Sequence, residues 1–410
     1  MNSRRYRYWI PVVLFTGLLF SAINRTSISV GMPLIGKSLH LTPALAGAAF
    51  SAFFLGYVLM QIPGGYIVDR LGPRRTLVAA LLWYAVSTAL IGTVRSFGAL
   101  WLVLFLSGAG AQAEIPAVMK TLANWFPLKE RSRASGVVLS AIALGPGVMP
   151  IVMVYLMSRF GWSSAFFFLL FPCSVAALLV FLGIRDEPRE TPWISAKEIG
   201  EIEAGKVAQQ GKMDRPYRDV FGHGNLWVLA VIYFLFNIAF WGFIMWLPTY
   251  LITARHMTVI KMGFNASIPY LAGFAGSLSG GWLADRLAWP RGIIAVSYLL
   301  TGVSMLLAFQ AVTPDMSVVF LTLAGFFMYM SYGPFWSLGM SLLPEKVTGV
   351  SAALINLAGN IGGFIAPLTI GLLVQTTKSF HTGFLFMILS LVLGAVLVAM
   401  VRLGPAESRA

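Results

Sequence analysis

Apolar runs of roughly 20 residues follow one another along most of this chain, separated by short polar turns, and each can cross a hydrocarbon core of about 30 Å. The pattern predicts helical spans at 9–34, 45–68, 75–95, 98–123, 134–157 and 163–184, then at 226–252, 262–284, 291–311, 317–341, 348–373 and 379–402. One long polar stretch interrupts them, RDEPRETPWISAKEIGEIEAGKVAQQGKMDRPYRDVFG at 185–222. Within it SAKEIGEIEAGKV reads as a surface helix, with Ser195 as N-cap and Glu198 at capping-box spacing. The expected fold is therefore an all-α integral membrane protein. Its twelve transmembrane helices form two pseudo-symmetric six-helix bundles, 1–184 and 223–410, joined by the linker 185–222.

Composition agrees with that reading. Of 410 residues, 58% are hydrophobic and only 11% charged, with a mean hydropathy of +0.80, whereas a soluble domain carries about a quarter charged residues. The net charge of +14 is positional: of 29 lysines and arginines, 21 fall on the face that holds both termini, six on the other, and Arg25 and Lys120 inside spans. The six are Lys37, Arg95, Arg159, Arg255, Lys261 and Lys378. Cationic loops resist translocation, so both termini and the 185–222 linker are expected in the cytoplasm, with the chain multi-pass in the cell inner membrane. No nucleic-acid partner is implied. The run after Arg4, Arg5 and Arg7 is too long for a signal-peptide core and has no small-residue cleavage site. A lone cysteine, Cys173, excludes an internal disulfide, and His40, His223, His256 and His381 lie in or near loops. No phosphate-binding Gly-rich loop ends in Lys-Ser or Lys-Thr, and no metal-ligand cluster or nucleophile–base pairing occurs. The expectation is no enzyme, no cofactor, no metal and no ATP drive.

The two halves repeat. GGYIVDRLG at 64–72 returns as GGWLADRLA at 280–288, and WFPLKERSRASG at 125–136 has a weaker echo in LLPEKVTGVSAA at 342–353, with Pro127 matching Pro344. Each copy follows the second or fourth span of its half. Duplicated six-span halves point to a transporter with its site at mid-membrane. In the loop, Gly64 and Gly65 allow close helix approach and Gly72 tolerates turn geometry. Asp69 suits a helix N-terminus, and Arg70, Arg74 and Arg75 can pair with acids. Asp69, Arg70, Arg74, Asp285 and Arg286 are expected to act as a latch that makes and breaks during alternating access.

GYVLMQIPGGYIVDRLGPRR resembles the cytoplasmic signature loop of the major facilitator superfamily, and the likeness extends over essentially the whole chain. QIPGGYIVDRLG, WFPLKERSRASG, RDEPRETPWISAKEI, WGFIMWLPTYL and LINLAGNIGGFIAPLTIG further resemble the anion:cation symporter family of bacterial sugar-acid and organic-anion carriers. That resemblance implies transport of a small organic anion, and a first-helix arginine that contacts it.

Arg25 is such an arginine. It sits inside the first span in SAINRTSISV, where a charge is costly unless it faces a cavity or partner. Its planar fork matches a carboxylate bidentately and it holds its proton. The family places an acid just before this arginine, where this chain has Asn24, and a glutamate in the fourth helix where it has Ala111; Leu104 replaces a further arginine. Glu114 lies one turn after Ala111 on roughly the same helix face and is the only one of the 15 acids inside a span. The expectation is that Glu114 couples protons, either paired with Arg25 or protonated when substrate takes Arg25. Burial and Arg25 pull its carboxyl in opposite directions. A purely structural Arg25–Glu114 pair is the plainer alternative.

Further substrate-binding candidates are Tyr57 and Gln61 on the second helix, positions that the family also uses, Asn237, Trp241 and Trp246 on the seventh, and Tyr329, Tyr332, Trp336 and Ser337 on the tenth. Asn356 and Asn360 stand one turn apart on the eleventh, and the family shows the same pair. Lys120 is either a second cation on the substrate path or a snorkelling end residue. Organophosphate carriers use an arginine in each half, but the counterpart of Arg25, eight residues before Pro248, is Phe240. A single cation suits a monoanion. The expected function is a proton-coupled importer of a sugar acid or other carboxylate, working as a monomer in the bilayer. Two alternatives stay open: a drug-type proton antiporter, suggested by the Gly-Pro step in ALGPGVMP at 143–150, and a transporter-like sensor with the 185–222 loop as output.

Overall fold

A computed structural model of the chain describes residues 6–207, 221–287, 289–343 and 348–401. The first span is α1 (Trp9–Ser38), the second α2 (Pro43–Leu59) with α3 (Gln61–Leu71), and the third α4 (Pro73–Ile91). The fourth is α5 (Phe97–Ala111) with α6 (Glu114–Trp125). α7 (Leu128–Phe168) holds the fifth span and the start of the sixth, parted at Gly161 with φ +77°, and α8 (Leu170–Gly183) completes the sixth. After the linker helix α9 (Ala196–Val207) come α10 (Gly224–Thr253), α11 (Val259–Leu287) and α12 (Pro290–Gln310). The tenth span is α13 (Pro314–Met330) with α14 (Tyr332–Leu342), followed by α15 (Thr348–Thr377) and α16 (His381–Met400). Twelve spans result among the described residues, at the positions that the apolar runs predict.

Four spans are broken among the described residues, the second, fourth, sixth and tenth, and each break has the same cause. A proline inside a helix removes a donor and its ring crowds the carbonyl four residues back. Pro63, Pro116, Pro172 and Pro334 put that disturbance at Leu59, Gln112, Phe168 and Met330; α2, α7 and α13 end there and α5 ends one residue earlier, at Ala111. At the first of these the second span bends by 52°.

The repeat pairs these breaks with glycines. A Cβ on Gly64 would collide with Gln112 at the fourth-span break, and one on Gly280 with the Met330 carbonyl at the tenth-span break. The second glycine of each pair, Gly65 or Gly281, meets nothing. Only the first is a packing glycine. Gly280→Ala is therefore expected to lower stability by about 2 kcal/mol through overpacking. Gly281→Ala, which adds helix propensity in open space, should be neutral or stabilising by up to about 1 kcal/mol. Thermal unfolding of the two purified variants separates them. The second repeat element, with Pro344, falls partly outside the described residues.

The chain divides into two compact units: residues 1–27, 55–149 and 156–213, and residues 28–54, 150–155 and 214–410. In the first, Leu14 and Leu18 of α1 pack with Leu77 and Leu81 of α4, Val118, Leu122 and Trp125 of α6, Val138 of α7 and Val180 of α8, all buried. In the second, the start of α2 lies against α15: the Ala44 amide donates to Gln375 at 3.2 Å and the Ser51 hydroxyl to the Phe364 carbonyl at 2.5 Å.

α9 forms where expected, and the Ser195 hydroxyl accepts from the Glu198 amide at 3.2 Å. The other arm of the capping box is diverted. Glu198, only 4% exposed, accepts instead from the backbone amides of Tyr6 and Arg7 at 3.2 and 3.0 Å. Arg7, 1% exposed, pairs with Glu130 and Glu201, both at 3.1 Å. Tyr6 sits against Trp125 and Trp193, and Ile202 is fully buried. The linker helix is thus docked on the first unit and not simply a solvated tether. Breaking such a buried pair costs about 3 kcal/mol, so Glu198→Ala should release α9 and speed tryptic cleavage at the exposed Lys197.

Candidate functional site

Arg25 and Glu114 both fall in the first unit, and the structure brings them near one another. Ser21 and Arg25 are one turn apart on α1, on the face toward α4 and α6. The Ser21 hydroxyl donates to Glu114 Oε2 at 2.5 Å. Glu114 is 4% exposed, opens α6 at its first turn, and keeps Oε1 buried without a hydrogen-bond partner. The proline-induced break places this acid at a helix N-terminus, where the dipole favours negative charge. Arg25 stands beside this group. Its guanidinium lies over the Tyr57 ring at 5.4 Å and donates to the Tyr84 hydroxyl, with Glu114 close enough to interact electrostatically. An aromatic cradle of this kind orients the fork and adds cation–π attraction.

Asn24 stands where the resembling family has an acid, and it turns away from Arg25: its amide donates to Cys173 Sγ at 3.0 Å. Tyr57 and Gln61 do not share a continuous helical turn, because the second span bends between them. Tyr57 is 7% exposed in α2, whereas Gln61 opens α3 and its carbonyl accepts from the Gln112 amide at 3.2 Å. That bond stitches the second-span break to the fourth. The Gly-Pro step of the drug-carrier motif serves packing: a Cβ on Gly145 would strike Ala22 of α1.

In the second unit, the remaining candidates cluster. Asn237 donates to the Tyr233 carbonyl at 2.8 Å, and the Tyr233 and Tyr332 hydroxyls are 3.5 Å apart. Trp241 meets Phe54 and Phe240 edge-on, and Phe240 meets Tyr329 at 5.2 Å. Asn360 donates to the Asn356 side-chain oxygen and to its backbone carbonyl, both at 2.9 Å. Trp336 packs on Tyr233 and Ser337 is exposed. Trp246, 3% exposed, donates to the Pro367 carbonyl at 3.2 Å.

Of the latch residues, Asp69 is 76% exposed and pairs with Lys120 at 2.6 Å. Lys120 is thus the ion-pair partner of Asp69. Arg74 donates to the Phe181 carbonyl and its amide to Asp186 at 2.7 Å; Arg70 lies over Tyr66. Asp285 and Arg286 are exposed, with Arg286 over Trp282 at 5.0 Å.

Sequence reasoning missed Ser21 and Tyr84. Both carried a signal: a hydroxyl inside an apolar span, Ser21 at helical spacing from Arg25. It also missed that Gln112 ties the two breaks.

Comparisons with known proteins agree with this architecture. The chain is 30% identical over 404 residues to the probable galactarate/D-glucarate transporter GudP of Escherichia coli K12, covering 93% of this chain and 90% of that one. It is 30% identical over 409 residues to the probable sulfoacetate transporter SauU of Cupriavidus necator, covering 97% and 94%. The crystal structure of a D-xylose–proton symporter shares the fold with a TM-score of 0.77 at 15% identity, over 96% of this chain and 97% of that one. The Major Facilitator Superfamily model matches residues 14–367. With twelve spans, a repeated signature loop and relatives that are transporters and not enzymes, the chain belongs to the Major Facilitator Superfamily.

Proposed function

We propose that this protein is a secondary active transporter of a small organic anion, a sugar acid or a related carboxylate, driven inward by protons. The observation that carries the proposal is the Arg25 group: a guanidinium cradled by Tyr57 and Tyr84, beside a buried carboxyl with one oxygen unpartnered. Arg25 accepts the cargo's carboxylate bidentately. Glu114 carries the proton, so that anion and proton enter together and leave together. The names of the relatives, which concern galactarate, D-glucarate and sulfoacetate, support this substrate class.

In the same reading, Tyr57, Gln61, Asn237, Trp241, Tyr329, Tyr332, Asn356 and Asn360 contact the cargo's body. Asp69, Arg70, Arg74, Asp285 and Arg286 switch partners as the halves 1–184 and 223–410 alternate. The protein works as a monomer in the cell inner membrane with both termini inside. Uptake of radiolabelled D-glucarate, galactarate, sulfoacetate and benzoate into proteoliposomes, with and without an inwardly directed proton gradient, tests it. Gradient-stimulated uptake of at least one anion is expected; uptake of lipophilic cations alone would place the drug-antiporter reading first.

A further inference from the structure

The second unit contains a cavity of about 650 Å3 at the Lys37 end of α1, within the range of small-molecule sites. Three cations line it, Lys37 from the last turn of α1 and Arg255 and Lys378 from two different loops, and no acid does. These are half of the six cations on the face that charge asymmetry assigns to the outside. Topogenesis gives no reason to keep them there, since it disfavours cations on that side. A lysine in the last turn complements a helix dipole, which accounts for Lys37 alone and not for convergence. The acid that the spans place on that face, Asp315, is exposed and does not line the cavity.

The chemistry divides between a fixed charge and free donors. Arg255 is spent on framework: it donates to the Tyr250 hydroxyl at 2.7 Å and to the carbonyls of Ala311, Ala308 and Phe309. It holds positive potential in place without offering its fork. Lys37 and Lys378 are exposed and form no ion pair among the described residues. Thr249 lines the same cavity, and its hydroxyl is buried just behind that lining with no hydrogen-bond partner among the described residues. Below it, Trp246 is fixed to the Pro367 carbonyl and packs edge-on against Phe50, and a Cβ on Gly47 would collide with Pro367. α2 and α15 are thus in backbone contact beneath the cavity floor.

We infer that this vestibule is a second anion site, in which a small carboxylate waits outside the closed α2–α15 contact, its oxygens taken by Lys37, Lys378 and the Thr249 hydroxyl. The inference rests on the anion-transport reading above and adds a site to it.

The test is titration of D-glucarate into protein in phosphatidylcholine nanodiscs, for four chains: wild type, Arg25→Gln, Lys37→Gln/Lys378→Gln, and all three changes together. Arg25→Gln should retain a weak saturable site that the lysine changes weaken by about tenfold or more, the scale of two lost charge-assisted contacts. In vesicles of known orientation, the lysine pair should raise the half-saturating concentration for entry from outside several-fold and leave that for exit unchanged. Should Arg25→Gln fail to fold, the entry–exit asymmetry decides alone. No lysine-sensitive binding, or equal effects on entry and exit, would overturn the vestibule site. Tight wild-type-like binding by Arg25→Gln would instead overturn the role of Arg25 and leave the vestibule to the lysine comparison.

Discussion

Replacing Arg25 with glutamine is expected to reduce carboxylate uptake by about a hundredfold or more. Glutamine keeps a polar side chain beside Tyr84 but loses the charge and the fork that would meet a carboxylate. Truncating one member of a buried charge pair costs about 2–5 kcal/mol, much of it from the partner left unsatisfied. Here the partner is the cargo, so the cost falls on transport and not on folding. Arg25→Lys should recover part of the rate, because it restores charge without bidentate geometry. Uptake by folded Arg25→Gln within about threefold of wild type is too small a loss for a direct charged partner, and would make Arg25 structural.

The second large effect is expected at Glu114. Glu114→Gln keeps the volume and can still accept from Ser21, so the local packing should survive. What it cannot do is bind and release a proton. The variant should therefore exchange labelled for unlabelled anion across the membrane at a rate near wild type, yet fail to concentrate it when a pH gradient is the only driving force. The separation of exchange from accumulation distinguishes a coupling residue from a residue that merely packs. A Glu114→Gln protein that still accumulates anion against its gradient contradicts the assignment.

The architecture is legible because each span is a separate apolar run. Where the breaks fall is harder to read, because Pro33, Pro248, Pro269 and Pro367 sit inside α1, α10, α11 and α15 without ending them. The partner of Arg25 is less legible. Position 24 looks informative because the resembling family has an acid there, but Asn24 is aimed at Cys173 on α8. The real neighbours, Tyr84 and Ser21, come from the third span and from one turn earlier on α1, and a single sequence gives no register between α1 and α4. Lys120 and Asp69 each stand out in the sequence, but with separate roles. Their pairing depends on how α3 leans after the bend at Leu59, which is a tertiary fact. Arg7 reads as one of many topogenic cations, although burial against three glutamates makes it the anchor of the linker helix. A charge count cannot tell a solvated arginine from a buried one.

The central claim is that one anion and a proton cross together through the Arg25–Glu114 group. It is tested most directly by trapping a pH-sensitive dye inside proteoliposomes at equal pH on both sides and zero membrane potential, then imposing an inward gradient of the best-transported anion of the panel. The account predicts that the interior acidifies as the anion enters, and that Glu114→Gln abolishes the acidification. Anion entry with no change of internal pH, or acidification that persists in Glu114→Gln, would contradict it.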